Sequence, residues 1–181
     1  YLKSNGANPV SEASIKAAAA KIQAPFDRQG GENSYSLHAE LQEVTHNLVG
    51  IIRTGAELKD AIAKIADIRK RSANVAVAGG RKFNPGFHLA FDLDNMLLVA
   101  ESTAKSADSR EESRGGHTRD DFPGMSNEWR QVNHISSFDG QKVNVRKQAL
   151  PPMPKELFEL FDVHELEKYM TPDEVAKGGS N

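Results

Sequence analysis

The feature that most constrains the fold is one long apolar stripe in residues 88–112. Its members recur three and four positions apart, the period of an α-helix: Leu89, Leu93, Met96, Leu97, Ala100, Ala104 and Ala107. A single helix over 88–112 would be about 40 Å long at ~1.5 Å per residue. Such a stripe has to be removed from water, so it requires other long helices to pack against.

Two further segments supply long helices. One begins near Ser34 or Ser36, and its apolar residues have the alternating four- and three-residue spacing of a coiled coil: Leu37, Leu41, Val44, Leu48 and Ile51. The other is predicted over 55–72, because Thr54 and Glu57 fit a capping box. Its apolar side is formed by Leu58, Ile62, Ile65 and Ile68.

A shorter helix precedes these three. Ser11 is placed to cap it, and Glu12 lies in the first turn, where the helix dipole favours an anion. We expect this helix over roughly 11–23, and we expect Pro25 to end it. The predicted fold is mostly α: a three-helix antiparallel, spectrin-repeat-like bundle plus a short extra helix, followed by a β-hairpin and an irregular C-terminal tail.

The hairpin prediction rests on Asp139-Gly140, which separates two alternating segments, 132–138 and 141–146. Asp-Gly between such segments is a strong hairpin signal. Pro151, Pro152 and Pro154 then predict a stiff, extended connector. The expected organisation is a lead-in with a short helix over 1–33, a helical bundle over 34–123, and the hairpin and tail over 124–181.

Composition excludes several classes of function. The formal charge of −2 argues against nucleic-acid binding. No apolar run approaches the ~18 residues that a membrane-spanning helix needs, so no direct membrane insertion is expected. Cysteine is absent, which removes disulfides, thiolate metal sites and cysteine nucleophiles.

Motifs for catalysis or cofactor binding are also missing from the sequence. There is no GxGxxG to bring a dinucleotide onto a helix N-terminus and no serine nucleophile elbow. The six histidines are scattered, without the HExxH spacing of a zinc site. We therefore assign no catalytic, cofactor-binding or metal-binding residue within this chain.

The charged loop, residues 112–123, is the segment with functional potential. Gly115-Gly116 is expected to end the long helix, because glycine is a poor helix former. Arg114, His117 and Arg119 could bind an anion or a carboxylate-bearing partner surface, since arginine forms bidentate pairs with such groups. Alternatively, Arg114 pairs with a nearby Asp or Glu and His117 caps the helix end. Residue chemistry leaves both readings open.

Three motifs give the chain a family resemblance. They are SLHAELQEVTHNLVGIIRT, NPGFHLAFDLDNMLLVAES and ESRGGHTRDDFPGM, beginning at Ser36, Asn84 and Glu112. Together they resemble the C-terminal region of the succinate dehydrogenase/fumarate reductase flavoprotein subunit, from about Ser36 to about Lys168.

This resemblance implies that the parent protein interconverts succinate and fumarate, with electrons passing from FAD to an iron–sulfur partner. It implies that the flavin-linking and substrate-binding residues lie upstream, so the isolated chain should be inactive and bind no flavin. In similar proteins the charged loop lies against the FAD-binding part of the same subunit and the iron–sulfur subunit. We therefore predict a docking role for Arg114, His117, Arg119 and Asp120. The implied location is cytoplasmic, peripheral on the inner face of the plasma membrane through partner subunits.

Two alternatives remain. One is the related C-terminal domain of an L-aspartate oxidase-type flavoenzyme, and the other is a free-standing helical interaction module. The hairpin at Asp139-Gly140, the proline connector and the form of the motif at Arg119–Pro123 favour the respiratory enzyme. The absence of an initiator methionine before Tyr1 suggests an internal piece of a longer protein.

Overall fold

A computed structural model describes residues 2–6 and 9–178 of the chain. Contacts divide these residues into two compact units: the first runs to Ser126 and includes Ser136–Val145, and the second comprises Asn127–Ile135 and the described residues from Arg146 onward. The elements up to Ser126 are α1 (Leu2–Asn5), α2 (Glu12–Asp27), α3 (Ser34–Leu48), β1 (Ile52–Arg53), α4 (Gly55–Ser72), α5 (Pro85–Ser109) and β2 (Thr118–Arg119). They are followed by α6 (Asn127–Arg130), β3 (Val132–Phe138), β4 (Val143–Ala149), α7 (Lys155–Phe158), α8 (Val163–Glu167) and α9 (Pro172–Ala176).

The core of the first unit is the predicted bundle of α3, α4 and α5. The apolar stripes on the three helices meet, and the side chains they bury include Leu37, Leu41, Val44, Ala61, Ile65, Ile68, Leu93, Leu97 and Ala104. The mostly α fold with a three-helix bundle is therefore confirmed. Ile51, predicted at the end of the α3 stripe, lies beyond the helix and is exposed.

Side-chain caps define the starts of all three bundle helices, including α4 and α5. The capping box at α4 is confirmed: Glu57 N–H donates to Thr54 Oγ1 over 3.3 Å, and Thr54 N–H donates to Glu57 Oε2 over 2.7 Å. At α5, Asn84 Oδ1 accepts the Phe87 N–H over 3.1 Å, and Pro85 occupies the first turn. The helix therefore begins at Pro85, three residues before the predicted position.

The predicted end of the long helix is wrong. α5 stops at Ser109, well before Gly115-Gly116. The Ala107 and Asp108 carbonyl groups each accept an N–H of Arg119 over 3.0 Å, so the final turn is satisfied from outside the helix.

The predicted end of α2 is also wrong, because the helix continues through Pro25 to Asp27. Two contacts hold this last turn. Phe26 lies against Phe87 with 4.9 Å between ring centroids, and the Pro25 carbonyl accepts the Val77 N–H over 2.8 Å. These tertiary contacts outweigh the helix bond that proline cannot make.

The described residues also form two pairs of strands. The β3–β4 hairpin forms at Asp139-Gly140 as predicted, with Gly140 at φ +97° and Asp139 Oδ1 accepting the Gln141 and Lys142 N–H groups over 2.9 and 3.0 Å. The second pair was not predicted: β1 and β2 run parallel, with Arg53 in register with Arg119.

Buried Glu101 ties the hairpin tip to the bundle. Its carboxylate pairs with Arg69 and, over 2.5 Å, with Lys105, and it accepts the Val143 N–H over 3.2 Å. Burial alone would raise the pKa of Glu101, but these partners together hold it below its ordinary value. A buried carboxylate with this many donors remains ionised.

Trp129 is buried in the second unit. The His134 ring lies edge-on to the Trp129 ring with 5.3 Å between ring centroids, and the Lys147 ammonium lies 3.6 Å from the Trp129 ring centroid. Arg130 pairs with Glu174 over 2.6 Å. The Thr171 N–H, Arg130 and the Thr171 hydroxyl lower the pKa of Glu174 to about 2.

Candidate functional site

The charged loop is held beside the connection between α3 and α4. Thr118 N–H donates to the Ile51 carbonyl over 3.2 Å, and Asp120 N–H donates to the Arg53 carbonyl over 3.1 Å. A tight turn precedes this pairing, in which Arg114 and His117 exchange backbone hydrogen bonds of 2.8 and 3.1 Å around Gly115 at φ +59°. The loop is therefore an ordered structure at one end of the bundle.

Arg119 and Asp121 form a bridge between two helix ends. The Arg119 side chain is 2% exposed and makes a bidentate pair with Asp121, at 2.7 Å from Nε to Oδ1 and 2.8 Å from Nη2 to Oδ2. Arg119 Nη1 donates to carbonyl groups at the C-terminus of α5. At the other side, Asp121 Oδ2 accepts the Gly55 N–H at the start of α4 over 2.9 Å.

The bridge places each charge where a helix dipole favours it. The cation lies at a helix C-terminus, and the anion lies at a helix N-terminus. Hydrogen bonding to Arg119 holds the pKa of Asp121 far below its ordinary value, although burial opposes the shift. The same bond to Asp121 raises the pKa of Arg119. Both groups are therefore charged throughout the physiological range.

Gly55 allows this bridge to approach the start of α4. A Cβ atom at position 55 would lie 2.8 Å from Arg119 Nη2 and 3.1 Å from Asp121 Oδ2. The guanidinium is already held by Asp121 and by the end of α5, so it has little room to move. Glycine is therefore the residue that fits here.

His117 is held as a neutral imidazole by its two partners. Arg53 Nη2 has only protons to offer, so Nδ1 of His117 accepts its bond over 2.8 Å. Nε2 then carries the proton and donates it to the Arg110 carbonyl over 3.0 Å. Burial lowers the pKa of His117; the Arg110 carbonyl opposes this, and nearby guanidinium groups lower the pKa further.

Glu112 is the buried acid of the loop, at 1% exposure. It pairs with Arg110 over 2.5 Å and with Arg114 over 3.0 Å, and it accepts the Ser126 N–H over 2.9 Å. Burial would raise the pKa of Glu112, but the Ser126 amide and the two guanidinium groups lower it overall. The intrachain pairing that the sequence left open for Arg114 is therefore present.

The four residues predicted to dock differ in how much of each side chain a partner could reach. Asp120 is exposed, Arg114 and His117 are half-buried, and Arg119 is buried. The contacts within this chain do not test docking, so that role stays a prediction. They do show that Arg119 uses its N–H groups inside the chain, so it would act by positioning the loop.

Sequence reasoning missed several members of the site: Arg53, Gly55, Glu112 and Asp121. Each belongs to one of the three motifs or follows it directly, but no spacing rule reveals that residues 52–55 lie beside 118–121. Only the parallel β1–β2 pairing brings them together. Within residues 2–6 and 9–178, no cluster of three or more potential metal ligands occurs.

A mostly apolar groove of about 630 Å³ runs between α3 and α5. Its walls include Leu41, Val49, Met96 and Val99, with His38 and Asp92 among the polar lining residues. None of the four predicted docking residues lines this groove. In the described part of the chain, no helix has both the length and the apolar character needed to cross a membrane.

Comparison with known sequences relates the chain to one family. The profile of the family described as the fumarate reductase flavoprotein C-terminal region matches residues 38–161. A fumarate reductase flavoprotein subunit of Mycobacterium tuberculosis is 32% identical over 126 residues, which cover 68% of this chain and 22% of that protein. A succinate dehydrogenase flavoprotein subunit of Coxiella burnetii is 28% identical over 147 residues, covering 77% and 25%. The chain thus spans about a quarter or less of these relatives.

Solved structures give the same relationship. The chain matches the Mycobacterium smegmatis Sdh1 complex in its apo form with a TM-score of 0.83 and 45% identity, over 98% of this chain and 31% of that one. It matches the E. coli quinol fumarate reductase FrdA with a TM-score of 0.71 and 25% identity, over 83% and 27%. An adenylylsulfate reductase of Archaeoglobus fulgidus, at 16% identity and a TM-score of 0.72, shares the fold.

The Arg119–Asp121 bridge should be a main determinant of stability. Arg119→Lys keeps the charge but cannot reproduce the bidentate pair and the carbonyl bonds together, so we expect a loss of about 2–3 kcal/mol in unfolding free energy. Urea denaturation measures this loss. Asp120→Asn is the matched control in the same loop and should change stability by less than ~0.5 kcal/mol. Equal losses of unfolding free energy in the two variants would contradict a stabilising role for the Arg119–Asp121 bridge.

The neutral state of His117 predicts a pH dependence. Below its ordinary pKa of 6.5 the unfolded chain binds this proton more readily than the folded protein does. Stability should therefore fall as pH drops below about 6.5 and level off beneath the lowered pKa. His117→Gln removes the titrating group, so its urea midpoints between about pH 5 and 8 should show a smaller fall. If the urea midpoint of His117→Gln falls as steeply with decreasing pH as that of the wild type, His117 is not the source of the pH dependence.

Proposed function

This chain belongs to the fumarate reductase flavoprotein C-terminal family, and from that premise we propose that the protein containing it interconverts succinate and fumarate. The observation that carries this proposal is the family match over residues 38–161, together with 45% identity to the M. smegmatis Sdh1 structure over nearly the whole chain. The chain itself is the C-terminal helical domain of such a flavoprotein subunit.

The proposed chemistry takes place outside this domain. Oxidation of succinate to fumarate removes two hydrogen atoms from adjacent carbons, as a hydride and a proton. FAD, when bound to the parent protein, supplies the hydride acceptor, and its electrons then pass to an iron–sulfur partner.

The sequence of this chain lacks the glycine-rich motif of an FAD site. Its glycine pairs lack the GxGxxG spacing, and Arg119 and His117 are engaged by other groups of the chain. We therefore infer that the domain binds no flavin alone and contributes no catalytic residue. Its role is to support the catalytic part of the subunit.

We infer that the charged loop is a docking surface for the FAD-binding part of the subunit and for its iron–sulfur partner. Exposed Asp120 and partly exposed Arg114, which lies beside its partner Glu112, present charge of both signs, and His117 and Arg119 hold the loop in shape. Association with a membrane would then take place through partner subunits, in keeping with the absence of a spanning helix in the described residues.

The relatives described above are fumarate reductase and succinate dehydrogenase flavoproteins, so the L-aspartate oxidase alternative is not favoured. A free-standing interaction module is not favoured for the same reason.

Activity of the parent protein tests the proposed function. The full-length protein, produced with its iron–sulfur partner, should contain FAD and reduce a dye with succinate or oxidise a reduced viologen with fumarate. The isolated chain should be colourless and inactive while retaining helical circular dichroism. Full-length protein that contains flavin but reacts with neither succinate nor fumarate would contradict the proposal.

Docking through the charged loop is tested by removing its accessible charges in the full-length protein. Arg114→Gln and Asp120→Asn should each lower the yield of the assembled complex severalfold, because charge complementarity across an interface is lost. The urea midpoint of Asp120→Asn should match that of the control, whereas Arg114→Gln should lower the midpoint modestly, because it removes one partner of buried Glu112. Glu111→Gln, an exposed acid beside the loop, is that control and should assemble normally. Normal assembly of both docking variants would exclude this surface.

A further inference from the structure

Phe83 combines two features that are each unfavourable for a phenylalanine in water. Its φ angle is +51°, in the left-handed region, and the residue is 99% exposed. Among the residues that the structure describes, it is the one non-glycine residue with a positive φ. A bulky side chain in this conformation is a backbone outlier. Strain of this kind persists where the surroundings impose it, and it clusters at binding sites.

The Phe83 loop, residues 78–84, is held in shape by Asn84. The Asn84 Nδ2 amide donates to the Ala78 carbonyl over 3.0 Å and to the Gly80 carbonyl over 2.8 Å. Its Oδ1 atom caps α5 at the same time. The conformation that projects Phe83 into solvent is therefore set before any partner arrives, so little loop entropy is lost on binding.

Arg81 attaches this loop to the end of α2. Its guanidinium lies 4.9 Å from the Phe26 ring centroid and 3.4 Å from Asp27. Phe26 in turn stacks on Phe87 of α5. The loop, the end of α2 and the start of α5 thus form one connected surface.

The same side of the unit exposes further apolar side chains. α2 has no buried residue, although Ile15 and Ile22 lie at helical spacing, 58% and 40% exposed. Ile22 and the half-exposed Phe91 line a cleft of about 400 Å³ next to Phe87, and charged residues such as Lys21 and Asp94 line the same cleft. Exposed apolar side chains therefore occur on α2 and α5, the helices to which Arg81 joins the Phe83 loop, and exposed aromatic residues are common anchors of interfaces.

We propose that Phe83 inserts into an apolar pocket on the part of the parent flavoprotein subunit that lies outside the present chain. This inference rests on the proposed function and adds a second docking point to it. The partner is chosen from the length of chain that lies outside the present one, since the match to M. smegmatis Sdh1 covers only 31% of that chain. Arg81 and Lys82 together with Asp27 give the surface beside Phe83 a net positive charge. We therefore expect carboxylate side chains around the opening of the pocket.

The position of Phe83 makes this contact distinct from the charged loop. Phe83 precedes α5 and the loop follows it, so the two are separated by the 25 residues of that helix, roughly 37 Å. Contacts at both ends of one rigid helix would fix the domain against its neighbour more strongly than either alone, because the second contact forms at high effective concentration.

Photo-crosslinking in the full-length protein with its partner subunits tests the contact directly. Phe83→benzoylphenylalanine should cross-link to peptides of the same subunit that lie outside residues 1–181. The same replacement of Phe161, which is 52% exposed in the tail, is the control and should not give those peptides. Cross-links from position 83 only to another polypeptide or to lipid, or none at all, would overturn the proposal.

A backbone test separates docking from a structural role of the ring. Phe83→Gly removes the ring and relieves the strained φ, so the urea midpoint of the domain should stay equal or rise. Tryptic cleavage at Lys82 in the full-length protein should nevertheless become about tenfold faster, because undocking exposes it. Phe83→Tyr should keep wild-type protection. Cleavage of Phe83→Gly at the wild-type rate would refute the contact.

These readouts are independent of turnover. A full-length protein that shows the intrasubunit cross-link but no reaction with succinate or fumarate would refute the proposed activity and support the docking of Phe83. The reverse result would support the activity and refute the docking.

Discussion

The structure depends most on the bridge between Arg119 and Asp121. One planar guanidinium satisfies carbonyl groups at the end of α5 and binds the carboxylate that caps the start of α4. The ends of two antiparallel helices carry opposite partial charges, and the bridge supplies the complementary charge to each. The pair thereby determines where α5 stops and how the charged loop lies against residues 51–55.

Buried charge has a second role in this domain, because it attaches peripheral segments to a narrow apolar core. Glu101 holds the hairpin tip, and Glu112 holds the turn that precedes α6. Each carboxylate is surrounded by enough donors to offset the cost of burial. The accessible charges at Arg114 and Asp120 therefore project from a framework that is already rigid, which favours recognition over flexible adaptation.

The regular elements could be predicted from sequence, because their signals are local. The stripes of Leu37, Ile65 and Leu93, the capping box at Thr54 and the Asp139-Gly140 turn each involve residues within a few positions of one another. The errors arose where distant groups intervene. Arg119 bonds to the last carbonyl groups of α5, which ends before Gly115-Gly116. The contact between Phe26 and Phe87 stabilises the turn of α2 that follows Pro25. The neutral protonation state of His117 could not be predicted either, because it depends on a hydrogen bond from Arg53, which is 64 positions away in the sequence.

The parallel pairing of β1 with β2 has a consequence for the order of folding. Gly55 and Asp121 are 66 positions apart, and the segment that begins at Gly55 and ends at Asp121 contains all of α4 and α5. Closing so long a segment has a large entropic cost, whereas each helix forms from neighbouring residues. We therefore expect the end of the bundle to close after its helices have assembled, and a chain emerging from the ribosome to remain open there until residue 121 has been synthesised.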